Sequence, residues 1–327
     1  MASGRLTTPP ADWPRRSLRP CRVPTQLLAW GKHSQSTCSL RLLAAIVFIA
    51  ANPCTTWAAG TFDVKNQETS TEGRGLTEKA SCKPVYLTLD TGHMEVAPFI
   101  ADVLARQQVK VTFFAANERT KSGDGSLGND WAPWWKARAA EGHEFASHTF
   151  DHTYWRGDTP GNPLQFKVRA SAGPLEGKDS VWTAQQYCAE IDRASARLDA
   201  VTGTKSLPLF RAPGGKTSPA LLAAAKSCGY AHVGWSAAGF LGDELPSETY
   251  PNEALLKKAL RGIQSGDILL AHLGIWSRKD PWAPAVLEPL ITGLKAQGFC
   301  FRTLSQHPQY RSGIAASRQT SAAKSPL

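Results

Sequence analysis

Long hydrophobic runs are scarce in this 327-residue chain, and that scarcity limits what it can be. The apolar stretch at residues 42–51 is ten residues long, about half of what a helix needs to cross a bilayer, so no stable membrane span is expected. Methionine is nearly missing. Beyond Met1 there is only Met94, so a translation start between them would have to use another codon. Acids are missing from both ends: residues 1–58 hold seven Lys/Arg against Asp12 alone, and from Arg311 onward there are three basic residues and no acid. Those ends account for nearly all of the formal charge of +10, so the body is close to neutral, which argues against a nucleic-acid partner.

What is present is ordinary for a globular protein: 42% hydrophobic and 20% charged residues. Basic Arg41, the apolar run at 42–51, and small residues at Thr56 and Ala58 have the layout of a secretory signal cleaved after Ala58. The expected organisation is an N-terminal extension and signal peptide at 1–58, a linker at 59–82, a folded domain at 83–310 and a disordered tail at 311–327. Export predicts a periplasmic or extracellular protein. Past residue 58 the cysteines are Cys82, Cys188, Cys228 and Cys300, an even number that suits disulfides in an oxidising compartment. Four cysteines allow three pairings. Cys82 and Cys300 lie beside the first and last predicted strands, which makes them the first pair to expect.

From residue 85 short apolar runs alternate with helical periodicity. Strands are predicted at 85–89, 110–114, 143–147, 207–211, 232–235, 267–272 and 299–304, with helices at 95–106, 132–141, 218–227, 252–263 and 285–297 between them. A further helix is marked by a capping box, Thr183 with Gln186, and by a stop at Gly203. Residues 154–182 show no clear period and read as a long functional loop. Seven strands alternating with helices predict an α/β fold with a parallel sheet. Asp90, His148, Arg211 and His272 each fall at the C-terminal end of a different strand. A closed sheet brings such ends to one face, so the prediction is a distorted or incomplete (β/α) barrel of about seven strands.

His148 and His152, four residues apart after a buried strand, can ligate one divalent cation, since neutral imidazole suits zinc and its neighbours. Together with Thr88-Leu89-Asp90-Thr91-Gly92, Arg211-Ala212-Pro213-Gly214-Gly215 and Leu269-Leu270-Ala271-His272, this segment resembles four of the five motifs of the polysaccharide deacetylase (NodB-homology, carbohydrate esterase family 4) family, in order and over about residues 85–304. The resemblance implies a distorted (β/α) barrel in which a divalent metal, zinc by preference, activates a water against the acetamido carbonyl of an N-acetylated sugar. It makes His148 and His152 metal ligands, Asp90 the general base, Arg211 the residue that holds Asp90, and His272 the general acid. The backbone N–H of Gly214 would face the oxyanion. The implied partner is a polysaccharide or amino-sugar oligomer. Trp155 and Trp276, which follow His152 and His272 closely, are the expected sugar platforms.

Three positions depart from the family pattern. Thr91 stands where the family has a second, metal-binding Asp, leaving Asp90 itself, then His93, then a water held by Thr91 as sources of the third ligand. Ala238 stands where His272 would find its carboxylate partner, with Asp243 or Glu244 as substitutes. Gly214 replaces a common aromatic. These losses leave open a catalytically impaired protein of the same fold that only binds glycans, although retention of Asp90, both histidines, Arg211 and His272 favours an enzyme.

Overall fold

The computed structural model describes residues 82–323, and the expected signal and all of the linker but Cys82 lie outside them. The chain runs β1 (Lys83–Asp90), α1 (Ala97–Arg106), β2 (Thr112–Ala115), α2 (Ala132–Ala140), β3 (Glu144–Ser147), β4 (Thr153–Thr159), β5 (Asn162–Ala170), β6 (Asp179–Thr183), α3 (Ala184–Thr202), β7 (Leu209–Phe210), α4 (Pro219–Ser227), β8 (Ala231–His232), α5 (Asn252–Gly262), β9 (Ile268–His272), α6 (Trp282–Ala296), β10 (Phe299–Phe301) and α7 (Arg311–Ala323). Seven strands form one parallel sheet in the order β10-β1-β2-β3-β7-β8, with β9 also paired to β1. The last six residues of β1 are all buried, as expected for a parallel strand covered on both faces.

The sheet curls but does not close with a regular strand. Beyond β8 the chain crosses to β9, where Ser236 N–H donates to the Ile268 carbonyl at 3.0 Å and Leu270 N–H donates to the Gly239 carbonyl at 2.9 Å. The predicted incomplete (β/α) barrel is therefore the fold. Local signals act as read: Thr183 Oγ1 accepts from Gln186 N–H while the Gln186 side chain accepts from Thr183 N–H, and Gly203 ends α3 at φ 71°. Ser218 caps α4 by accepting from Leu221 N–H.

Two expectations are corrected. Residues 154–182 are not a loop: they fold with Thr153 and Thr183 into a three-stranded antiparallel sheet, β4-β5-β6. Phe166, Val168 and Ala170 alternate inward along β5, and the first two pack with Tyr187 and Ile191 of α3 and Leu221 of α4. Residues 311–323 are helical rather than disordered, because Tyr310 and Ile314 bury against Tyr86, Leu207 and Leu209. Cys82 is bonded to Cys300, the pair expected first, and Cys188 to Cys228, joining α3 to the end of α4. No described helix is long and apolar enough to cross a membrane.

Candidate active site

Four strand ends deliver the polar residues to one rim. Asp90 closes β1 and is paired in register with His272, which closes β9. His148 and Arg211 follow the paired residues Ser147 of β3 and Phe210 of β7. Arg211 is fully buried and almost saturated with acceptors: Nη1 donates to Asp90 Oδ1 at 2.5 Å, Nη2 to Thr88 Oγ1 at 2.9 Å, and Nε to the Val233 carbonyl at 3.1 Å. A buried guanidinium so held is a fixed positive charge beside a buried carboxylate. The second oxygen of that carboxylate, Asp90 Oδ2, lies 3.4 Å from His148 Nε2.

The histidine turn departs from ordinary backbone geometry. Thr149 and His152 both have positive φ, 61° and 47°, a conformation non-glycine residues adopt at some cost. It is held from three sides: Thr153 N–H donates to Thr149 Oγ1, Phe150 N–H to the Glu190 carbonyl on α3, and Asn117 N–H to the Phe150 carbonyl. The two imidazole rings then stand 4.8 Å apart. His148 Nδ1 is 2.9 Å from the Arg211 carbonyl, which can only accept, so Nδ1 carries the proton. Ser171 Oγ donates to the His152 carbonyl at 3.2 Å and lies 2.6 Å from His152 Nδ1, so it accepts from that ring as well. With Nδ1 of each ring engaged in this way, Nε2 is the nitrogen left for a metal ion. Burial first, and the neighbouring His152 second, hold the His148 pKa well below its ordinary value. Two imidazoles bordering a polar cleft fit a divalent cation. Among the described residues, no three His, Cys, Asp or Glu side chains form a finished metal-ligand group.

His272 finds its carboxylate in Asp243, one of the two expected substitutes for the missing partner. Asp243 Oδ1 and Oδ2 are each 3.1 Å from Nδ1, and Oδ2 also accepts from His272 N–H at 2.7 Å. Burial disfavours the imidazolium, but Asp243, with Asp90 and Glu244, outweighs it and raises the pKa to about 9. Glu244 is the more distant acid, 4.0 Å from Nε2.

Asp90, His148, His152, His272 and Glu244 line one cleft of about 150 Å³, which Thr91, Gly214, Tyr154 and Trp276 also border. Trp276 is half exposed beside it, with the Arg119 guanidinium 4.7 Å above its ring. Trp155 is not in the cleft. Alternation along β4 turns it to the other face, against the Phe166 cluster, and aims its neighbour Tyr154 inward. A Cβ on Gly214 would come within 2.9 Å of Tyr154 Cε1, so Tyr154 occupies the space where a side chain at 214 would begin. His93 accepts from Glu95 N–H and borders a neighbouring cleft instead. Sequence reasoning missed Tyr154, and it missed Glu118, whose carboxylate also lines this cleft. The inward alternation of β5 could have revealed the strand pairing that positions Tyr154. A single acid on a loop gave no comparable signal.

The curled α/β barrel thus carries an acid and three imidazoles at the C-terminal rim of its strands, with a guanidinium bonded to the acid from below. Comparison with known proteins points the same way: residues 77–233 match the family model for polysaccharide deacetylase. The chain is similar to a peptidoglycan-N-acetylglucosamine deacetylase of Bacillus cereus, with 26% identity covering 70% of this chain and 90% of that protein. It is also similar to a chitooligosaccharide deacetylase of Azorhizobium caulinodans, with 24% identity covering 67% and 92%. Among solved structures, a peptidoglycan N-acetylglucosamine deacetylase shares the fold at TM-score 0.51 and 23% identity, covering 70% of this chain and 89% of that one. A family pseudoenzyme from Bacillus anthracis shares it equally, at TM-score 0.51 and 19% identity, covering 69% and 66%, so fold alone does not separate active from inactive members.

Proposed function

We propose that this domain removes the N-acetyl, or another N-acyl, group from an amino sugar in an envelope or extracellular polysaccharide. The observation that carries the reading is the convergence of Asp90, His148, His152 and His272 on one cleft, with Asp90 and His272 on adjacent strands and Arg211 bonded to Asp90 from the buried side. A cation of the zinc type, held by His148 and His152, would supply Lewis acidity to the acyl oxygen and make water a better nucleophile at neutral pH. Arg211 fixes Asp90 through one carboxylate oxygen and leaves the other facing the cleft, so Asp90 takes a proton from the attacking water. As the amide C–N bond breaks, His272 passes a proton to the departing nitrogen, leaving a carboxylic acid and an amine. Asp243 keeps His272 charged for that step. The backbone N–H of Gly214 faces the developing oxyanion, and Trp276 and Tyr154 flank the sugar.

Export is the accompanying proposal. The leader-like N-terminal sequence supports it, as do two disulfides, which persist mainly in oxidising compartments.

The test is acetate release from N-acetylglucosamine oligomers, with and without added zinc. Asp90→Asn is expected to abolish turnover and leave oligomer affinity unchanged. Full activity in that variant would overturn the base assignment. Absence of hydrolysis across several N-acylated glycans by wild-type protein that still binds them would favour a glycan-binding pseudoenzyme.

A further inference from the structure

The sheet β4-β5-β6 has two faces, and packing on the helices accounts for only one of them. Phe166 and Val168 fill the helix side, so Lys167 and Arg169, which alternate with them along β5, stand on the other. That second face begins at the active-site cleft: Tyr154, which lines the cleft, is paired in register with Arg169. Cross-strand partners project to the same side of a sheet, so the ring and the guanidinium share one surface.

A bulge widens this surface. Trp155 pairs with Val168 and Gly157 with Lys167, so Arg156 is the extra residue on β4. The bulge lets Asp158 turn to the helix side, where its Oδ1 accepts from Trp155 Nε1 at 3.1 Å and from Ser218 Oγ at 2.7 Å, while Arg156 stays with Lys167 and Arg169. Arg156, Lys167, Arg169 and Asp179 line a hollow of about 430 Å³, with Val181, 56% exposed, as an apolar floor. Arg169 holds Asp179 through two bonds, Nε to Oδ1 at 2.8 Å and Nη2 to Oδ2 at 2.5 Å. Among the described residues, the side chains of Arg156 and Lys167 have no ion-pair or hydrogen-bond partner. Three cations against one acid leave the hollow a surplus of two positive charges, in a chain whose body is close to neutral.

We propose that this hollow is a subsite for a carboxylate-bearing sugar that neighbours the amino sugar in the cleft, so that the polymer deacylated is an acidic polysaccharide. The proposal rests on the deacylase reading of the cleft. A guanidinium matches a planar carboxylate with paired N–H donors, and Lys167 adds a mobile point charge. The cleft itself is lined by Asp90, Glu118 and Glu244, which would repel a carboxylate, whereas the adjoining flank attracts one. Opposite charge on the two surfaces fixes which sugar of the chain enters the cleft.

The experiment compares acetate release by the full chain from peptide-free peptidoglycan strands, whose alternate sugars carry a lactyl carboxylate, with release from the same strands after reduction of those carboxyls to alcohols. Wild type is expected to show a lower KM on the acidic strand, and the preference should fade as salt is raised. Arg156→Gln with Lys167→Gln should raise KM for the acidic strand about 5- to 25-fold, one or two exposed ion pairs at the upper end of their ordinary worth, and should leave kcat, Tm and the kinetics on the reduced strand unchanged. Asp179→Asn, which frees Arg169 and removes the competing acid, should lower that KM. Lys257→Gln with Lys258→Gln takes the same charge from exposed positions on α5 and should alter neither strand's kinetics. Equal KM on the two strands, or wild-type KM in the Arg156→Gln, Lys167→Gln variant, would overturn the proposal, while acetate release would keep the deacylase reading. If neither strand released acetate, that reading would fall, and titration calorimetry on the same strands would decide the subsite: tighter binding of the acidic strand, lost in the double variant, would sustain it, and equal or absent binding would remove it. Binding to phosphatidylglycerol vesicles that the double variant loses, with no preference between strands, would assign the face to a membrane surface and overturn the proposal.

Discussion

Replacing Asp243 with Asn removes the negative charge that keeps His272 protonated while preserving the side chain's shape. The asparagine carbonyl can still accept from His272 N–H, but its amide then faces Nδ1 and favours the neutral ring. His272 is raised from 6.5 to about 9, against a burial effect that on its own would lower it. The His272 side chain is only 12% exposed, so little of the interaction is screened. Because the folded-state pKa lies above the unfolded one, the stabilisation is complete below about 6.5 and is lost as pH rises through about 9. A shift of that size amounts to roughly 3 kcal/mol at pH 6. Asp243→Asn should therefore be less stable than wild type by a value of that order in urea unfolding at pH 6, and the gap should close by pH 10. NMR titration of the His272 ring should show its pKa falling by more than one unit, and the basic limb of the acetate-release profile should move the same way. An unshifted ring titration, or a stability gap equal at both pH values, would refute the argument that Asp243 sets this charge.

Two further predictions concern the scaffold. Cys82→Ser with Cys300→Ser releases a bond between residues 218 apart, and thermal or denaturant unfolding should show a loss of about 2–5 kcal/mol. Gly214→Ala places a methyl group 2.9 Å from Tyr154 Cε1 at a position with φ 67°, so it should cost about 1–3 kcal/mol in urea unfolding and raise KM by displacing the Tyr154 ring.

The barrel was legible because most of its strands are short apolar runs followed by a helix, and strand ends in a curled parallel sheet converge. That geometry alone brought Asp90, His148, Arg211 and His272 together. The β4-β5-β6 sheet was obscured by Pro160, Pro163, Pro174 and the glycines between its strands, which break the period that Phe166, Val168 and Ala170 do carry. Helix α7 was obscured by its small and polar residues, since the contacts that seat it come from Tyr310 and Ile314. Asp243 could be named as a candidate but not chosen over Glu244, because the crossing from β8 to β9 that seats it has no regular pattern. Glu118 carries no motif at all, and its place in the cleft depends on hydrogen bonds exchanged with Ser126 and on the one its neighbour Asn117 N–H donates to the Phe150 carbonyl, which no local sequence rule anticipates.

The Tyr154 ring enters the cleft from the β4-β5-β6 sheet rather than from the turn after β7. An inhibitor shaped around an aromatic fixed to the residue after Pro213 would meet a wall of similar chemistry but different anchorage here. Its selectivity among family members would then depend on how far this accessory sheet can tilt.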